Sequence, residues 1–161
     1  MCGGQTCDTV CGVRLFVSIP LPLEQREHLE RAVTGRPSAP ERWHLTLAFL
    51  GDRDDDVIDA LASVSADPFE LRVAGSGSFP GVEWAGVAGD LEALSGLATQ
   101  VAKTCRVQQG VYRPHVTIAR RGRTSLPSSY VGPAWTVSSF DLVHSTLGRP
   151  VVHDVLETFR L

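Results

Sequence analysis

Lysine is almost missing from this chain: of its 15 cationic side chains, all but Lys103 are arginine. Positive charge is not in excess either, because 18 acidic residues leave a net charge of −3. A protein that grips long nucleic acid across a broad basic surface is thereby excluded, since that mode neutralises many phosphates at once. A small phosphorylated ligand or the end of an oligonucleotide is not excluded, and the arginine bias favours forked contacts to phosphate wherever one meets a ligand. The chain also lacks any apolar run near the ~20 residues of a membrane span, and its first residues lack the basic-then-apolar order of a secretory signal. The expectation is a cytoplasmic protein with no membrane contact. Cysteine is scarce outside the start: Cys2, Cys7 and Cys11 crowd into the first residues, and only Cys105 lies elsewhere. Their spacing matches no familiar zinc pattern, so residues 1–12 read as a flexible Cys/Gly-rich leader, with neither metal nor cofactor expected.

At 161 residues the chain suits one domain with a real core, here expected over residues 13–161 as a monomer. Within it one tetrapeptide is repeated. His44-Leu45-Thr46-Leu47 returns as His115-Val116-Thr117-Ile118. At this composition a single His-apolar-Thr-apolar match is expected by chance about 0.06 times, so two matches argue for a repeated chemical unit. Strand side chains alternate faces, so each copy sets a histidine and a threonine on one side and two aliphatic anchors on the other.

The remaining pattern supplies a frame for those two strands. Val13 to Ile19 is rich in β-formers and is stopped by Pro20 and Pro22 before a helix from about Leu23 to Val33. The first motif strand spans Trp43 to Leu50. A second helix from Asp54 to Ser65 would use Asp54, Asp55 and Asp56 to complement its dipole rather than to bind metal. Phe69 to Ala74 and Val82 to Val87 flank a turn region from Gly75 to Gly81, which predicts a hairpin. Leu91, Leu94, Leu97, Ala98 and Val101 recur at helical spacing. The second motif strand then runs from Arg113 to Arg120, followed by a mobile surface loop to Pro133 and closing strands at Trp135 to His144 and Val152 to Phe159. The order βαβαββαβββ is α+β. Phe69 to Gly81 trails the first motif much as Trp135 to Gly148 trails the second, an echo of internal duplication that would set two small sheets around a cleft.

Two histidines facing one another across a cleft suit phosphoryl transfer by general acid–base catalysis. One imidazole takes a proton from water while the other, as imidazolium, protonates the departing oxygen, and no metal is needed. The hydroxyls of Thr46 and Thr117 can donate to the nonbridging phosphate oxygens. Arg113 precedes His115 by two residues, so a strand persisting through Pro114 would aim it at the same phosphate. Arg42 holds the same relation to His44, and Arg120 and Arg121 stand at the strand exit. Trp43, Phe49 and Trp84 read as core, with Trp84 nearest to a ligand role. His144-Ser145-Thr146-Leu147 is a partial third match that reads as a decoy, and His28 and His153 read as structural or solvated.

The two motifs, together with Arg14-Leu15-Phe16-Val17, Leu47-Ala48-Phe49-Leu50-Gly51, Trp84-Ala85-Gly86-Val87, Arg113-Pro114-His115 and the ending Phe159-Arg160-Leu161, resemble the 2H phosphoesterase superfamily. The likeness is greatest to its RNA 2′,3′-cyclic phosphodiesterase branch, also called the LigT or 2′-5′ RNA ligase family. That resemblance implies a pseudo-two-fold bilobal α+β fold, with two antiparallel sheets facing a central cleft and helices outside. It implies metal-free opening of a 2′,3′-cyclic phosphate on an RNA 3′ end or nucleotide to a 2′-phosphate. His44 would be the proton donor to the leaving 3′-oxygen and His115 the base, with Thr46, Thr117 and Arg113 on the phosphate, although the residues alone do not fix that direction. Two departures stand out: Ala48, a motif-face position often filled by lysine in such sequences, and the Cys-rich leader. The rival readings are a 2′-5′ RNA ligase, a related cyclic-nucleotide phosphodiesterase, a metal-dependent hydrolase, and a module that binds an RNA end or nucleotide without turnover.

Overall fold

The computed structural model describes residues 13–53, 56–121, 123–148 and 151–161. The leader cysteines and Asp54 and Asp55 lie outside the described residues. Strand β1, Val13–Pro20, alternates buried Leu15, Val17 and Ile19 with residues of the opposite face and ends at the expected proline. Helix α1, Leu23–Ala32, follows Pro22, whose fixed φ suits a helix entry, and buries Leu29 and Gln25. The two-residue β2, Thr34–Gly35, and a 3₁₀ turn, Pro40–Arg42, lead to the first motif strand β3, His44–Gly51.

Helix α2, Val57–Ala62, is shorter than the pattern predicts. The side chain of Asp56 makes no capping hydrogen bond there and lies 3.8 Å from Arg53 instead. Strands β4, Phe69–Phe79, and β5, Val82–Gly89, form the expected hairpin, but the turn is Pro80-Gly81 alone. The glycine-rich stretch stays in the strand because a bulge between Val73 and Ser76 absorbs Gly75 at φ +82°, a conformation open to glycine. Helix α3, Leu91–Thr104, starts at Asp90, whose carboxylate accepts the Ala93 N–H, and buries Leu94, Leu97, Ala98 and Val101 along one stripe.

The second motif strand β6 is Val116–Arg120, so Arg113, Pro114 and His115 precede it rather than belong to it. Pro114 supplies no N–H to a ladder at this point. The following loop is tied down by β7, Thr124–Ser125, which pairs with β2, and by Thr124, whose N–H and hydroxyl donate to Glu83. The first closing strand is divided at Ser138 into β8, Trp135–Val137, and β9, Ser139–Thr146, before β10, Val152–Arg160. Among the described residues no helix is long and apolar enough to cross a membrane.

The eight long strands pair in the order β10-β9-β1-β3-β6-β5-β4-β8. Two four-stranded antiparallel halves meet where the motif strands touch, through the single pair Leu45 and Val116. Counted outward from the seam the halves correspond: a motif strand (β3 or β6), then the strand that precedes that motif's helix (β1 or β5), then a strand that follows the other motif (β9 or β4). That last feature alters the duplication expected from the sequence, because β4 follows the first motif yet joins the second half, and β9 follows the second motif yet joins the first. Leu45, Leu47, Val116 and Ile118 are at most 1% exposed and join the helices in one core. The motif polar residues are left on the other face.

Candidate active site

The Leu45–Val116 pair sits on the pseudo-two-fold axis. His44 and Thr46 flank this pair on the first motif strand, as His115 and Thr117 flank it on the second. Beyond this pair the motif strands separate, and β3 keeps its backbone satisfied by side chains. The Tyr112 hydroxyl donates to the Thr46 carbonyl at 2.7 Å and the Gln109 amide to the Leu47 carbonyl at 3.0 Å. Burial pushes the Tyr112 hydroxyl far up from its ordinary pKa, so it remains a donor.

Both histidines are oriented in the same way. The His44 Nδ1–H donates to the Arg42 carbonyl at 2.7 Å, and the His115 Nδ1–H donates to the Arg113 carbonyl at 2.7 Å. What the Arg-x-His spacing contributes in both copies is thus a backbone tether. The Arg42 guanidinium turns away and donates to the Val151 carbonyl at 2.8 Å, and Arg113 is exposed. With Nδ1 committed as donor, the neutral His44 ring offers Nε2 as acceptor, and the Thr46 hydroxyl donates to it at 3.1 Å.

Aromatic rings fix both imidazoles from the side. Phe16 stacks on His44 with ring centroids 4.7 Å apart, and His153 approaches His44 edge-on at 5.6 Å. Phe79 stands edge-on to His115 at 5.3 Å, with Trp84 at 6.2 Å. Gly77 permits the latter arrangement, since a Cβ there would lie 2.3 Å from the Trp84 ring. Burial lowers the pKa of His44 to about 4, opposed by its bond to the Arg42 carbonyl, and the charges of His153, Arg120 and His115 lower it further. Burial also lowers His153, with Arg42 adding to the effect and Asp154 opposing it.

His44, Thr46, His115 and Thr117 are brought together as the motif implies, and Arg113 contributes its carbonyl to that group. Trp84, the aromatic nearest to a ligand role in the sequence, lies beside His115, and Phe16, Phe79, Tyr112 and His153 complete the surroundings without any local signal of their own. The expected reading of His153 as structural or solvated misses its place against His44, which depends on β10 folding back along β9. His28 shares a 2.8 Å hydrogen bond with Tyr130. His144 pairs with Leu15 and Asp154 in neighbouring strands, away from this cluster. Trp43 is 3% exposed, as expected of core, and its indole N–H donates to Ser38. Phe49 departs from its expected place in the core: it is 69% exposed. A cavity of about 230 Å³ between the hairpin and β7 includes none of the motif histidines or threonines in its lining. Among the described residues no group of three His, Cys, Asp or Glu side chains is placed to hold a metal ion.

Two antiparallel half-sheets meeting at one residue pair, each offering a histidine and a threonine to a shared face, define a 2H phosphoesterase. A family model described as LigT like Phosphoesterase matches residues 21–89, and the RNA 2′,3′-cyclic phosphodiesterases of Thermus thermophilus and Escherichia coli are 32% and 31% identical to the chain, covering 92% and 84% of it and 90% and 89% of their own lengths. The chain belongs to the LigT-like phosphoesterase family. Among solved structures, E. coli LigT complexed with 3′-AMP superposes with a TM-score of 0.79 at 27% identity, over 92% of this chain and 97% of that one. A structure described as a phosphoesterase gives 0.77 at 26% identity, over 92% and 98%.

Proposed function

We propose that the protein hydrolyses the 2′,3′-cyclic phosphate of an RNA 3′ end or nucleotide to a 2′-phosphate, using His44 and His115 as an acid–base pair. The observation that supports this most is that two imidazoles, each tethered through Nδ1 to the carbonyl two residues before it, flank the seam where the motif strands pair. Water attacks phosphorus and gives a proton to one imidazole. The P–O3′ bond breaks, and the opposite imidazolium protonates O3′, so that the phosphate stays on O2′ and the histidines exchange protonation states. Thr46 and Thr117 donate to nonbridging oxygens, where charge is held through the transition state. Arg113 and Arg120, both exposed, are the further contacts this reading assigns to the anionic substrate.

The family resemblance makes His44 the donor. In the ligand-free protein His44 is neutral near pH 7, with Nε2 as an acceptor, which favours the reverse order; the donor role requires the bound phosphodiester anion to raise its pKa. The test of the activity is incubation with EDTA and a short RNA ending in a 2′,3′-cyclic phosphate. The expected product is the 2′-phosphate, with turnover falling ~10²–10⁴-fold in His44→Ala and in His115→Ala. Undiminished turnover in either variant refutes the site, and loss of activity with EDTA alone refutes the metal-free chemistry.

A further inference from the structure

We propose that His153 is a positioning residue that works through His44: the two rings stand in edge-to-face contact and carry one proton between them, so that His153 decides when His44 is charged. This role rests on the activity just proposed. Counted back from Phe159, which stacks on Phe140 in the core, strict alternation would send His153 toward the helices. The structure places it on the reactive face instead. Glu157 pairs with Leu142 but Val155 with Val143, so Leu156 is the extra residue of a bulge and the side chains before it change face. Val155 thereby joins the cross-strand row of Val143 and Phe16, and His153 is the next residue of β10 on that face.

The half-buried His153 ring lies 5.2 Å from Phe16 and 5.6 Å from His44 between centroids, edge-on to both, while Phe16 covers the face of His44. One arginine fixes both histidines. The Arg42 carbonyl accepts the His44 Nδ1–H, and the Arg42 guanidinium donates to the Val151 carbonyl, two residues before His153. Bulges beside active sites re-aim side chains, and here the side chain is a third imidazole. His153 is faced by Arg42 from the 3₁₀ turn and by Asp154 on its own strand, which act on it in opposite directions, and the exposed Arg14 of β1 stands two strands away in the same row. His44 is faced in addition by Arg120 and His115 of β6. Burial disfavours charge on both rings, so near pH 7 the pair is neutral until an anion arrives. A bound phosphodiester favours the charged form of each, and the first proton taken up opposes the second. His153 therefore weakens the hold of His44 on its proton, whichever direction the transfer takes.

The experiment follows kcat, which reports the substrate complex, from about pH 5 to 9 at saturating RNA 2′,3′-cyclic phosphate in the wild type, His153→Gln and His153→Tyr. The tyrosine keeps a ring with a polar tip and stays uncharged over that range. In both variants the limb that belongs to His44 is expected to move up by roughly one pH unit while the other limb stays. A moved alkaline limb makes His44 the donor, and a moved acidic limb makes it the base. In the ligand-free protein the His44 ring, followed by NMR, is expected to titrate at higher pH in both variants than its wild-type value of about 4. A loss of kcat with both limbs in place marks His153 as packing only, a rise in KM with both limbs in place marks it as a substrate contact, and either result overturns the proposal. Should the wild type turn over no cyclic phosphate, the activity reading fails and the ring titration decides the pair by itself: a raised His44 titration sustains the coupling and an unmoved one refutes it.

Discussion

Replacing His44 by asparagine should remove a specific part of the acid sensitivity of folding. The unfolded chain titrates this imidazole near 6.5, whereas in the folded protein burial brings it to about 4. Between those values the unfolded state binds more protons, so the stabilising preference for neutral His44 is complete above pH 6.5 and is lost as pH falls toward 4. At pH 4.5 an unshifted ring is almost fully protonated, while the folded ring is protonated in only about a quarter of molecules. Linkage then makes the folded state about 2–3 kcal/mol less favourable at pH 4.5 than at pH 7.5 through this one group. Urea unfolding of the wild type and His44→Asn, followed from pH 7.5 to 4.5, isolates it, because the buried Asp141 and other titrating groups are common to both proteins. The stability difference should shift by that amount, mostly below pH 6. His153→Gln should produce a shift in the same direction, because burial and then the Arg42 charge lower the pKa of His153 as well. A difference that stays constant across the range, or a His44 ring that titrates near 6.5 by NMR, would show that the fold does not hold this imidazole neutral.

The order of proton transfer is read by changing the leaving group. If His44 delivers the proton to O3′, His44→Ala should recover most of its ~10²–10⁴-fold loss on a p-nitrophenyl phosphodiester, whose leaving group departs unprotonated, and His115→Ala should not. Recovery in His115→Ala instead assigns the donor to the second motif. At the joint between the halves, Leu45→Ala empties a fully buried position and should cost ~2–5 kcal/mol in urea unfolding, with turnover falling although both histidines remain. A cost under about 1 kcal/mol would mean that the single Leu45–Val116 contact does not hold the halves in register.

Some of these features were legible one residue at a time. The face shared by His44 and Thr46, and by His115 and Thr117, follows from a two-residue period that any strand imposes. The stripe of α3 follows from the helical period in the same way. Phe49 shows where such reading stops. Its face depends on one extra residue in the pairing of β3 with β1, and nothing inside Leu47-Ala48-Phe49 records what Val17 and Ser18 will do. The hairpin turn failed for a related reason, since glycines that usually mark a turn here serve a bulge and a close approach to Trp84. Arg113 was set on a strand that begins only at Val116, and its part in orienting His115 belongs to its carbonyl.

The chemical inventory is already present in chain order: two histidines, two threonines, the aliphatic anchors behind them and the strands that carry them. Those are local properties, set by side-chain alternation and by where proline and glycine interrupt it. It takes the folded sheet to bring β3 and β6 together antiparallel at Leu45 and Val116, with a tethered histidine on either side of that seam, and to set His153 and Phe49 beside His44 and Phe16. The physical reason is that strand pairing is a contest among distant segments for the same backbone hydrogen bonds and the same buried area. Its outcome is settled by the whole sheet, with β4 and β9 exchanged between the halves, and not by any tetrapeptide within it.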